Sequence, residues 1–266
     1  MPIAEIPSSP LASGVSPVRI HYRDVGAGRP LLVLHGGWGY EIYPFDRQID
    51  ALAPSRRIVV PDRTGYGRSG RLAAQEVDFH RRAAVETFAV IDALGLERPV
   101  VWGHSDGAVI ALLMALDRPE RLAALVLEAT HVYRNKPASR AFFETMVRNP
   151  DALGERVAAV LERDHGRSWR DVIRTNGTAW RRIADERAAP DEDLYGGRLP
   201  QLRVPALVVH GAKDPRTEPG ELDALRASLA HAQVALLAEG GHSPHSERLT
   251  ADEVTDVARE FLNGRH

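Results

Sequence analysis

Ser105 stands between two glycines in Gly103-His104-Ser105-Asp106-Gly107. The apolar stretch Arg98-Pro99-Val100-Val101-Trp102 precedes it, and Ala108-Val109-Ile110-Ala111-Leu112-Leu113-Met114-Ala115 follows. Gly-x-Ser-x-Gly between a strand and a helix describes a tight turn that exposes one serine at the strand end. Larger side chains at the glycines would collide with the strand and the helix. A serine hydroxyl is a poor nucleophile at its free pKa and needs a base beside it. Histidine fits because its pKa is near neutrality. The imidazole in turn needs a carboxylate to fix its tautomer and stabilise its cation. His242, in Glu239-Gly240-Gly241-His242, is the candidate base, and Asp214, in His210-Gly211-Ala212-Lys213-Asp214, is the candidate acid. Two rivals stand nearby. His245 follows three residues after His242 and reads as a lid or helix-surface residue, whereas Glu128 ends an apolar run and is the alternative acid.

Converging these residues requires a scaffold. Residues 18–25 alternate and read as a strand. Residues 31–34, 58–60, 100–102, 122–127, 205–210 and 233–237 are short apolar runs expected as strands, most of them buried. Helices are expected at about 45–53, 85–94, 108–116, 221–229 and 251–262, with Gly95 ending the second. Strands alternating with helices imply a parallel sheet covered on both faces. Ligands bind such sheets at the carboxyl ends of strands. Ser105, Asp214 and His242 each follow a strand and converge on one edge. The interval 131–202 lacks strand runs but carries Phe142, Phe143, Met146, Trp169, Ile173, Trp180 and Ile183 at helical spacing. It is expected to be a helical cap, or lid, over Ser105. The remaining core is then 1–130 and 203–266, and the first 17 residues read as an extended arm.

Composition narrows the setting. At 266 residues, with 44% hydrophobic and 26% charged content, the chain is an ordinary globular one. It has no cysteine, which excludes disulfides, thiolate metal sites and a cysteine nucleophile. A cytoplasmic setting is expected. The net charge of −2 offers no general attraction to nucleic acid or anionic membrane. No apolar stretch approaches membrane-span length, and the proline-rich start lacks the features of a signal peptide. No metal spacing, phosphate loop or dinucleotide fingerprint occurs, so no cofactor is expected. The expected partner is a small-molecule substrate. Monomer and homodimer are equally compatible with these features.

The glycine loop His35-Gly36-Gly37-Trp38-Gly39, the run Asp62-Arg63-Thr64-Gly65-Tyr66-Gly67-Arg68-Ser69, the serine turn, Gly211-x-x-Asp214 and Gly240-Gly241-His242 occur in that order. From about Val18 to Leu262 the chain resembles the α/β-hydrolase superfamily. The resemblance implies a mostly parallel eight-stranded sheet with a first antiparallel strand and a helical cap after strand six. It places the histidine directly after the glycine pair, which favours His242 over His245. It supplies oxyanion-hole N–H groups from Asp106 and from Gly37 or Trp38, with Gly37 the better match. Haloalkane dehalogenases share the scaffold but carry an aspartate nucleophile, so Ser105 argues against that branch.

Asp106 has two readings. It is an acidic residue at a helix N-terminus, where the macrodipole favours it. Alternatively it anchors a substrate ammonium, since relatives acting on amino-acid esters resemble this chain in Ser-Asp-Gly. Asp62, Arg63 and Ser69 are expected to organise the loop beside the site, and His35 to hold the glycine loop. Trp38, Tyr40, Tyr66, Tyr133, Phe142, Phe143 and Trp180 are pocket candidates. His131 and Tyr133 are the better ones because they follow a strand end. Together these residues read as a lidded serine hydrolase cleaving a small carboxylic ester or lactone through an acyl-enzyme. Amide or C–C bond hydrolysis on the same triad is one alternative. A cofactor-free perhydrolase or peroxidase, and a slow-turnover ligand-binding protein, are others.

Overall fold

Apolar runs four to six residues long, flanked by turn residues, build the centre of the molecule. The computed structural model describes residues 1–185 and 192–263. Eight strands form one sheet: β1 (Ile3–Ile6), β2 (Val18–Val25), β3 (Arg29–Leu34), β4 (Arg56–Pro61), β5 (Val100–His104), β6 (Ala124–Glu128), β7 (Ala206–Gly211) and β8 (Gln233–Leu237). Their order is β1-β2-β4-β3-β5-β6-β7-β8. β2 runs antiparallel to β1 and β4, and every other pairing is parallel. The antiparallel strand is therefore the second and not the first. Residues 1–17, expected as an arm, begin instead with β1. Ala4 and Ile6 point inward from it and are buried. Two inward residues are too short an alternation to stand out beside so many prolines.

Alternation along each strand separates two core layers. Leu32, Leu34, Val59, Val101, Leu125, Leu127 and Val208 face α2 (Phe79–Ala93) and α3 (Asp106–Asp117). Leu31, Val33, Ile58, Val60, Trp102, Val126 and Val209 face α1 (Asp46–Leu52) and α8 (Ala251–Asn263). α3 is apolar on nearly every side and buried from Asp106 to Ala115, as a helix in the middle of a core must be. Burying each of its larger aliphatic side chains contributes roughly 1.5–3 kcal/mol. α2 starts six residues before the sequence signal, because Phe79 and His80 are buried although no apolar period announces them. It ends at Gly95, whose φ of 60° suits the residue after a helix.

Between β6 and β7 lie α4 (Arg140–Arg148), α5 (Glu155–His165) and α6 (Trp169–Asp185). Residues 186–191 of the expected cap lie outside the described residues. These helices carry their own apolar cluster, formed by Phe143, Met146, Leu161, Trp169, Ile173, Trp180 and Ile183 with Phe79 of α2. Gly177 lets α6 approach α4 closely, since a Cβ there would stand 2.7 Å from the Met146 Cβ. α7 (Glu221–Ser228) covers the sheet between β7 and β8. Its first residue, Glu221, is buried against Lys136 and accepts the N–H groups of Val132 and Tyr133. That ion pair ties the start of the helical insertion to the sheet.

Candidate active site

Ser105 occupies the turn from β5 into α3 with φ 55° and ψ −119°. A non-glycine residue held there is strained. The glycines on either side show why the turn tolerates nothing larger. A Cβ at Gly103 would lie 2.2 Å from the Gly107 carbonyl oxygen, and one at Gly107 would lie 2.1 Å from that of Leu34. The Ser105 N–H donates to the Glu128 carbonyl at 2.9 Å, so the turn is pinned to the end of β6.

The β7 and β8 ends bring the two partners. His242 Nε2 lies 3.1 Å from Ser105 Oγ. His242 Nδ1 lies 3.0 and 2.9 Å from the two Asp214 carboxylate oxygens. Burial works to raise the Asp214 pKa, but the His242 charge and hydrogen bond, with the Arg216 N–H, prevail and lower it to about 2. Asp214 thus stays ionised across the range in which a histidine titrates.

Glu128 does not join this chain of contacts, and His245 is neither exposed nor on a helix. The two form a separate buried hydrogen-bonded pair. His245 Nδ1 donates to Glu128 Oε1 at 2.7 Å, its backbone N–H to the same oxygen at 3.0 Å, and Nε2 to the Tyr43 carbonyl at 3.0 Å. Trp102 Nε1 donates to Glu128 Oε2, and the Phe45 ring stacks on the imidazole. Both ring nitrogens thus face oxygen acceptors. Burial works to raise the Glu128 pKa, but the charge and hydrogen bonds of His245 prevail and lower it. His104, Glu128 and His245 bring three ligand-type atoms within 4.8 Å of one another. Glu128 and His245 already spend theirs on hydrogen bonds. His104 is buried, which lowers its pKa to about 3, and its Nε2 sits between the His242 carbonyl and Ser243 Oγ. The cluster therefore supports the His242 loop from beneath.

The glycine loop is held from below by Arg63, whose guanidinium donates to the carbonyls of His35 at 2.6 Å and Gly36 at 3.1 Å. His35 accepts the Arg63 N–H at 3.3 Å, and burial keeps it neutral. Asp62 accepts the Arg68 N–H, and Ser69 Oγ donates to the Asp62 carbonyl. These contacts fit the loop roles expected of Asp62, Arg63, Ser69 and His35. Gly37 faces the pocket at a spot where a Cβ would come within 2.7 Å of both Asn176 Oδ1 and Asp106 Oδ2.

Asp106 is buried at the first turn of α3 and lines the pocket. Three donors reach its carboxylate: Asn176 Nδ2 at 2.9 Å, Trp180 Nε1 at 2.9 Å and His80 Nε2 at 3.2 Å. Burial works to raise its pKa, but these partners prevail and hold it below the usual value. Asp106 is thus the joint between the serine turn and α6, a role neither sequence reading contained. Three of the roughly four acceptor positions of a carboxylate are taken.

A cavity of about 270 Å³ opens above Ser105, bounded on one side by the sheet and on the other by α4 and α6. Trp38, Phe142, Phe143, Trp180 and His131 line it, as do Asn176, Arg216 and Glu247, which the sequence reading did not single out. Trp38 stacks on Phe142 and Tyr43. His131 Nε2 lies 3.4 Å from Ser105 Oγ, and burial keeps the ring neutral. Tyr133, expected beside it, is turned away. Its N–H follows that of Val132 onto Glu221, and its hydroxyl donates to the Gly220 carbonyl. Tyr40 and Tyr66 also lie outside the cavity, bonded to Asp46 and to Gln75 and Asn176. Among the described residues, no helix is long and apolar enough to cross a membrane.

Known proteins share this arrangement at the level of the fold. The sequence family described as alpha/beta hydrolase fold matches residues 29–176 and 135–249. Serine hydrolase BPHL of Homo sapiens is 29% identical over 252 residues, covering 93% of this chain and 84% of the relative. A 2-hydroxy-6-oxononadienedioate/2-hydroxy-6-oxononatrienedioate hydrolase of Paraburkholderia phymatum is 29% identical over 237 residues, covering 76% of each. Among solved structures, a thermophilic esterase from Thermogutta terrifontis matches with a TM-score of 0.75 at 21% identity, over 99% of both chains. With a family match across most of its length and an eight-stranded sheet of this order, the chain belongs to the α/β-hydrolase fold family and is a hydrolase.

Proposed function

We propose that the protein is a serine hydrolase of small carboxylic esters or lactones, working through an acyl-enzyme. The observation that carries this reading is the unbroken contact chain from Ser105 Oγ through His242 to Asp214 at the floor of the cavity. Ser105 Oγ attacks the acyl carbonyl carbon as His242 Nε2 takes its proton, and ionised Asp214 steadies the imidazolium. The N–H groups of Asp106 and of Gly37 or Trp38 receive the oxyanion, each such donor contributing about 2.7–4 kcal/mol. His242 returns the proton to the leaving alcohol. A water deprotonated by His242 then frees the acid and restores Ser105. Trp38 and His131 flank the acyl group.

The size of the cavity limits the substrate. A volume of about 270 Å³ is at the small end for a ligand site. Across a series of 4-nitrophenyl esters, kcat/KM is expected to peak at acyl chains of about two to four carbons and to fall beyond them. Steady-state kinetics check this, and a flat profile or an optimum at octanoate would contradict it. C–C bond hydrolysis is the second reading, favoured by the match to the Paraburkholderia enzyme named for a dioate substrate. Turnover of such a dioate with no ester activity would replace the first reading with the second.

A further inference from the structure

The polar groups of the cavity wall are nearly all committed to partners. Asp106 receives Asn176, Trp180 and His80. Glu247 takes the N–H groups of Ser243 and Gly241. His242 is held by Asp214. Arg216 is different. Its backbone is fixed at both ends, with the N–H on Asp214 Oδ1 at 2.8 Å and the carbonyl accepting from Lys136 Nζ at 3.2 Å. Its guanidinium stacks over the Phe142 ring. Among the described residues, no carboxylate lies within ion-pair distance of it and no acceptor takes its N–H groups. Burial lowers its pKa, opposed by Tyr43 and Asp214, yet a guanidinium remains charged at neutral pH.

A half-buried cation with five donors and no acceptor, on the wall of a substrate cavity, calls for an anion. We propose that Arg216 binds a carboxylate carried by the substrate, so that the preferred ester or lactone is an acidic one. This rests on the hydrolase reading given above and names its substrate class. A carboxylate suits the site better than a phosphate dianion. One guanidinium matches one carboxylate with two parallel hydrogen bonds. Lys136, which donates to the Arg216 carbonyl, is fully buried and spent on Glu221. The same inventory argues against an ammonium-bearing substrate, because Asp106 has little capacity left. Arg216 is also well registered with the chemistry, since its own N–H holds the carboxylate of Asp214.

The test compares mono-4-nitrophenyl glutarate with 4-nitrophenyl valerate, which differ in the terminal carboxylate. Wild-type protein should favour the glutarate, and Arg216→Gln should lower the glutarate-to-valerate ratio of kcat/KM by at least about ten-fold, mostly through KM. Arg216→Lys, which keeps the charge and loses the fork, should keep part of the preference. An unchanged ratio in Arg216→Gln would overturn the assignment. Glutarate binding to the Ser105→Ala protein, read by calorimetry, separates the two claims. Binding that depends on Arg216, without turnover of any ester by wild type, would sink the hydrolase reading and leave the anion site standing. Turnover of both esters with no charge preference would do the reverse.

Discussion

Ser105→Ala lowers kcat for a short-chain ester by on the order of 10⁶-fold, the scale seen when a serine triad loses its nucleophile. KM changes little, because the cavity walls are untouched. The fold survives. Among the described residues, the hydrogen-bond partners of Ser105 Oγ are the imidazoles of His242 and His131, and the turn is held by backbone contacts and by the glycines beside it. Thermal unfolding should therefore stay close to that of wild type, while activity drops to what oxyanion donors and binding alone provide. A comparable loss of activity accompanied by unfolding would mean that the serine supports the turn more than the chemistry. Steady-state kinetics and a melting curve on one preparation decide between the two.

Glu128→Ala gives the largest expected loss of stability, about 3–5 kcal/mol. The substitution removes the acceptor of a fully buried imidazole and leaves Trp102 Nε1 and the His245 backbone N–H without their partner. For a chain of this size the cost corresponds to a Tm drop of roughly 10 °C. His242 lies three residues from His245, so ester turnover should fall with it at temperatures where the variant still folds. The pH dependence has a definite sign. Because the folded-state pKa of Glu128 is depressed, the pair's contribution is fully present above the unfolded glutamate value of about 4.3. It is lost as pH falls through the lower folded value. The difference between wild type and Glu128→Ala should accordingly be large at pH 7 and shrink in acid. Urea melts across that range check it, and a pH-independent difference would show that packing and not charge holds the pair.

That Ser105, His242 and Asp214 meet was legible because each follows an apolar strand, and strands of a parallel sheet deliver their ends to one edge. Ser105, Asp214 and His242 needed only that rule. The contacts that hold them were not legible, because they join residues far apart in sequence. Asn176 and Trp180 meet Asp106 across the pocket, 70 and 74 positions away. A trace existed: Asn176 interrupts the apolar stripe of α6 formed by Trp169, Ile173, Trp180 and Ile183, and a buried polar side chain implies a partner. His245 and Glu128 lie 117 positions apart. Each looked like an alternative catalytic group, and in the structure they contact each other and not Ser105. Tyr133 follows the end of β6 as His131 does, but two N–H bonds to Glu221 turn the chain away from the cavity. Arg216 looked like one arginine among many, since only the placement of the carboxylates around it reveals that none among the described residues pairs with it.

The most direct measurement of the central claim is capture of the acyl-enzyme. The protein is mixed rapidly with 4-nitrophenyl acetate, quenched in acid during turnover and examined by intact-protein and peptide mass spectrometry. Acetylation of Ser105, appearing at least as fast as kcat and absent from Ser105→Ala, is the predicted result. Turnover without any adduct, or an adduct on a different residue while Ser105→Ala keeps its activity, would contradict it.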